Sequence, residues 1–223
     1  MNRVLFSTIF TVVLFVSCTG GPGKWVATTT DASPAEASGP YIITDYKNKN
    51  AGERIPEWVS LYLAKGVHEI ETLEAYRGHY VFISGNEGNN FNALNQWTEG
   101  FSPELDFPRL AAARTEARFS SAVLYPDMEY GSFYEALIKS ASDAFWTGAV
   151  REDDFWIHRS FYAIDDLDVY KDTLEFLILV TIERELFSSQ LDAVFQSVKP
   201  EPPPTKDQLA AINRVKARFY EGF

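Results

Sequence analysis

Leu174–Glu185, LEFLILVTIERE, is the stretch whose reading decides the fold. In an extended chain Phe176, Ile178, Val180 and Ile182 point to one face, and Leu177 and Leu179 to the other. A strand apolar on both faces belongs in the middle of a sheet, and Leu179 sits at the centre of the run. Upstream, DDFWIHRSFYAID (Asp153–Asp165) carries aromatic residues on both alternating faces. The segment between them, DLDVYKD, is short and polar, so the two stretches are expected to form an antiparallel hairpin. A third strand is expected at HYVFISG (His79–Gly85), β-branched and aromatic between glycines.

The remaining periodic segments predict helices. IPEWVSLYLAKG places Pro56 at a first helical position, with Trp58, Leu61 and Tyr62 on one face. VHEIETLEAY runs on to a stop at Gly78, and FNALNQWTEG ends at Gly100. Between Pro108 and Pro126, Leu110, Ala113, Ala117 and Leu124 share a face. On another face Arg114 and Arg118 read as a solvated basic pair beside Glu116. GSFYEALIKSASDAFWTG turns Phe133, Leu137, Ala141 and Ala144 inward, and LFSSQLDAVFQSV does so with Leu191, Val194 and Val198. The expectation is an α+β fold: a small antiparallel sheet of about three strands packed by several helices.

The 223 residues carry a net charge of −11, with 46% apolar and 15% aromatic residues. That composition suits a packed globule. The acidic balance argues against nucleic acid and against electrostatic attachment to anionic lipid. Four segments are expected. Residues 1–17 read as a signal peptide and 52–199 as the α+β domain. Residues 18–51, containing TGGPGKWVATTTDASPAEASGP, read as a flexible tether. Within it Tyr41–Ile43 is an apolar patch open to two readings, edge strand or linker. Residues 200–223 follow the stiff KPEPPPT joint and carry an amphipathic stripe of Leu209, Ile212, Val215 and Phe219. That stripe either folds back on the domain or is offered to a partner.

The first eighteen residues, MNRVLFSTIFTVVLFVSC, have a basic Arg3, an apolar run Val4–Val16, a small Ser17 and then Cys18. This is the layout of a secretory signal peptide. At about 1.5 Å per residue the apolar run spans about 20 Å, short of the roughly 30 Å bilayer core. Cys18 is the chain's one cysteine and has no disulfide partner within it. The order of apolar run, small residue and cysteine resembles the lipobox of bacterial lipoproteins, although Phe15 stands where that family most often has Leu. The resemblance implies cleavage before Cys18, palmitate and related acyl chains on Cys18, and a membrane anchor, with the outer membrane expected over the inner.

The chain lacks G-x-S-x-G, H-E-x-x-H and the P-loop pattern. Its three histidines, His68, His79 and His158, are scattered. Asp154 and His158, on one face of a strand, would stand about 13 Å apart, too far to share a metal. The acidic run Asp165, Asp166, Asp168 lacks the spacing of a calcium loop. No catalytic, cofactor-binding or metal residue is therefore assigned, and no enzyme activity is expected. In order along the chain, Pro56-Glu57-Trp58-Val59, Tyr80–Gly85, the helix Leu110–Phe119 and Leu177–Val180 are similar to the LPP20-type family of bacterial envelope lipoproteins. That resemblance implies an α+β envelope module without catalysis. The expected function is a non-enzymatic interaction or structural module in the cell envelope, facing the periplasm or the surface, with an envelope protein or the cell wall as partner. The alternative is an envelope enzyme or small-ligand binder using the Gly85–Asn90 loop and the Asp153–His158 region.

Overall fold

Four strands pair antiparallel in the computed structural model. They are β1 (Tyr41–Tyr46), β2 (His79–Gly88), β3 (Val150–Tyr162) and β4 (Val169–Glu183), in the spatial order β1-β3-β4-β2. The structure describes residues 40–122, 131–162 and 169–198, together with Lys206, Ala210 and Asn213. The leader, Cys18 and most of the proline-rich tail lie outside the described residues, as does the acidic run Asp165–Asp168. β4 holds an inner position, and Leu179, fully buried, pairs with Ile83 on one side and Asp153 on the other.

The two faces of β4 bury separately, as its apolar pattern requires. Ile178, Val180 and Ile182 join Tyr80, Phe82, Phe107, Leu110, Phe187 and Leu191 in one core. Leu177 and Leu179 join Val81, Ile83, Ile157, Trp58, Tyr62 and Ile70 in the other. Helices α1 (Glu57–Lys65) and α2 (Val67–Ile70) cover the second face. The first is covered by α3 (Phe91–Gly100), α4 (Pro103–Ala122), α5 (Gly131–Asp143) and α6 (Arg184–Ser197). The fold is α+β, three layers with the sheet in the middle.

Several boundaries differ from the expected ones. Residues 41–51 belong with the domain, so it does not begin at Gly52. Tyr41–Tyr46 forms the fourth strand, an edge strand paired to Tyr46↔Ile157 at one end and Tyr41↔Phe161 at the other. The physical reason is aromatic burial: Tyr41 packs on Phe161 at 5.6 Å between ring centroids, and Tyr46 stacks on Phe155 at 6.3 Å. Of the Gly85–Asn90 stretch, expected as a loop, Gly85–Gly88 is strand and only Asn89 and Asn90 lie between β2 and α3. Leu177 back to Leu174 of β4 supply the strand's partners, from Gly85↔Leu177 to Gly88↔Leu174, which keeps β2 extended. Asn90 instead caps α3, its Oδ1 accepting from Ala93 N at 3.1 Å. α4 begins at Pro103, with Pro108 inside it. Among its residues of described burial, Phe107, Leu110, Ala111, Ala112, Arg114 and Thr115 are buried, while Ala113 and Ala117 are half-exposed.

Candidate functional site

The sheet brings the two stretches of the alternative reading to the same end. His158 pairs across with Leu174, and Leu174 with Gly88; one row further in, Trp156 pairs with Phe176, and Phe176 with Asn86. With β4 between them, His158 and Gly88 stand about 10 Å apart, two strand spacings. Phe91, at the start of α3, closes over this row and meets Trp156 edge-on at 5.4 Å and Phe176 at 5.2 Å. Leu94 fills the space above Gly88, 4.0 Å from where a Cβ would stand.

The carboxylates of Asp153–Asp154 do not converge on that row. A register shift between Arg151 and Asp153 re-aims the strand there. Asp153 turns to the α1 side and accepts from Trp58 Nε1 at 2.9 Å. Asp154 is held between Lys47 Nζ at 2.7 Å and Arg151 Nη2 at 2.9 Å. Partial burial works to raise the Asp154 pKa. The hydrogen bonds and charges of Lys47 and Arg151 outweigh it, so the carboxyl titrates below the ordinary aspartate range. Arg151 also donates to the Thr98 carbonyl at 2.9 Å, tying β3 to α3. These groups are structural clamps.

His158 lies within 3.0 Å of the Thr44 hydroxyl through Nδ1, and its Nε2 is 3.8 Å from Asp172 Oδ1. Thr44 sits at the irregularity of β1, between Ile43 and Asp45. Ser160 Oγ donates to the same Asp172 oxygen. Hydroxyl, imidazole and carboxylate stand in the order of a nucleophilic triad. The geometry falls short of one, because 3.8 Å is beyond a hydrogen bond. The Thr44 hydroxyl is also within 3.3 Å of the His158 carbonyl, which competes for its proton. What this patch offers is hydrogen bonding beside exposed aromatic surface: Phe91 is 41% exposed, and His158 and Trp156 are partly so.

Two buried charge groups had no signal in the sequence. Arg114, expected on a solvated face, is buried at the outer edge of β2. Its Nη1 donates to Glu71 Oε1 at 2.8 Å and to the Val81 carbonyl at 2.7 Å. The same Glu71 oxygen accepts from Val81 N at 2.9 Å. Arg184 completes the group, donating to Glu71 Oε2 at 3.2 Å and to the His79 carbonyl at 3.0 Å. Both guanidiniums lie over the Tyr80 ring, at 4.9 and 4.8 Å. The network satisfies backbone groups that an edge strand would otherwise present to another chain. At the far end of the α1 face, Arg159 pairs with buried Glu175. Burial pushes the Glu175 carboxyl up; Arg159 pulls it back, and Glu87, directly opposite, pushes it up further. Neither residue's spacing marks it, since partners 43 and 16 positions apart are chosen by the sheet.

Among the described residues no three His, Cys, Asp or Glu side chains gather closely enough to hold a metal ion. Among the same residues no helix is long and apolar enough to cross a membrane. No family model, curated protein or solved structure matches the chain.

Proposed function

We propose that the protein is a membrane-anchored bacterial envelope lipoprotein, held by lipid on Cys18, whose α+β domain is a non-enzymatic interaction or structural module. The observation that carries the anchor is the run Val4–Val16 followed at once by Ser17-Cys18. Two or three acyl chains anchor a protein stably, and the acidic domain has no need of basic contacts to the bilayer. The module reading draws support from the way several of the charged groups considered for chemistry, among the described residues, are taken up by the fold. Asp153 is committed to Trp58, Asp154 to Lys47 and Arg151, and Arg114 to Glu71. The partner is an envelope protein or the cell wall, and the outer membrane is the expected site. Capture from intact envelopes with the lipidated protein, followed by identification of what is retained, tests this; recovery of the protein alone would count against it.

A second reading, a small-ligand binder or enzyme of the envelope, is favoured by one observation. His158, Thr44 and Asp172 lie on the same sheet end as Phe91 and Trp156. Under the module reading, His158→Ala leaves partner capture and melting temperature close to the parent's. A loss of hydrolytic or ligand-dependent signal specific to that variant would move the function to this patch.

A further inference from the structure

Phe145 is 84% exposed, directly after α5, while its neighbour Trp146 is buried and stacks on Phe187. It stands at an open groove of about 440 Å³ between α5 and α6. Ala144, Phe145, Ala193 and Val194 give the groove its apolar surface, Asp143 lies at its rim and Ser197 at the end of α6. An apolar seam with a large ring beside it calls for a cover. We propose that the cover is the chain's own C-terminal segment, Lys206–Phe219, laid in the groove with Leu209, Ile212, Val215 and Phe219 facing Phe145 and Ala193.

Three observations choose this occupant. The first is reach. α6 ends at Ser197, itself part of the groove, and KPEPPPT follows. Seven residues in an extended proline-rich form span about 22 Å at roughly 3.1 Å each. α6, at 1.5 Å per residue, is about 21 Å long, so the whole seam lies within reach of Lys206. The second is facing. Lys206, Ala210 and Asn213 are helical and exposed, and they recur at i, i+4 and i+7 along one side. In a helix continued through the segment, Ile212, Val215 and Phe219 would fall on the far side from these three, with Leu209 at the border. The third is charge. The tail carries Lys206, Arg214, Lys216 and Arg218 against Asp207 and Glu221. α5 and α6 carry Glu135, Asp143, Glu185 and Asp192 against Lys139 and Arg184, so a basic segment meets an acidic seam.

Engineered disulfides in the full chain from residue 18 onward, with Cys18→Ser, test the assignment. Ala193→Cys with Ile212→Cys places thiols on the two sides of the proposed contact; Phe145→Cys with Ile212→Cys is a second pair should the first fail to fold. Ser60→Cys with Ile212→Cys is the control, because Ser60 is exposed on α1 across the sheet. With melting temperatures confirmed near the parent's, mild oxidation should close the groove pair within one chain roughly tenfold faster than the control pair. Equal rates, no closure, or a groove pair that closes only between two chains would each overturn the proposal, the last by making a second copy the occupant.

Discussion

Gly148 shows how much one position decides. Its φ is +81°, a conformation that L side chains rarely adopt, and a Cβ there would stand 2.3 Å from Leu186 Cδ2. Gly148→Ala should therefore lower stability by about 1–2 kcal/mol from the backbone alone. In a domain of this size that amounts to a melting temperature lower by roughly 2–8 °C. Adding Leu186→Ala should relieve the clash but not the backbone cost, so melting of single and double variants separates the two. Glu71 is costlier to lose. Glu71→Ala leaves Arg114 buried without its carboxylate and Val81 N without an acceptor, which should cost about 3–5 kcal/mol in urea unfolding. Two carboxyls titrate with opposite signs. Asp154 is held low in the fold, so its stabilisation is present above the ordinary aspartate range and drains as pH falls through its lowered value. Glu175 is held high, so its contribution is present below the ordinary glutamate range and lost as pH rises through the raised value. Unfolding free energies measured over a pH series should show Asp154→Asn flattening the acid limb and Glu175→Gln removing the loss above it.

At the scale of elements, β4 and β1 make the sharpest contrast. Leu179→Asp puts a charge into a fully buried inner strand, a cost of several kcal/mol against a total stability of about 5–15 kcal/mol. Thermal melting should show no cooperative transition for that variant, and an unchanged one would place Leu179 at the surface. β1 is shorter and lies at the edge, yet it carries Ile43 and Tyr46 against the α1 face and Tyr41 against Phe161. A chain starting at Gly52 should accordingly melt below one starting at Pro40; equal melting would return residues 41–51 to the tether. The edges of the sheet are guarded differently. β2 is sealed at Val81 by Glu71 and Arg114, and β1 is broken by the irregularity at Thr44 and followed by Lys47.

Taken whole, the molecule is proposed to be a folded domain on a lipid leash, and one substitution and one truncation test the ends separately. Cys18→Ala should abolish palmitate incorporation and shift the protein from the membrane to the soluble fraction, with no change in melting. A stop at Pro200 should leave anchoring intact and, if the tail covers the groove between α5 and α6 as proposed, lower the melting temperature. What the sequence by itself determined follows from period and run length, which are local. The alternation in Phe176–Ile182 was enough to place β4 inside the sheet and to divide its side chains between two cores. Periods of three and four were enough for α1, α5 and α6, but Gly85–Gly88, read as loop, is strand, and Asn90 is the cap of α3. What only the tertiary structure decided concerns partners distant along the chain. Gly85–Gly88 extends because Leu174–Leu177 of β4 lie alongside and pair with it, and Tyr41–Tyr46 is a strand because Phe155 and Phe161 give its rings somewhere to pack. Arg114 is buried rather than solvated because Glu71 and the Val81 backbone stand within 2.8 Å of it, and no spacing within a helix encodes a carboxylate 43 residues away.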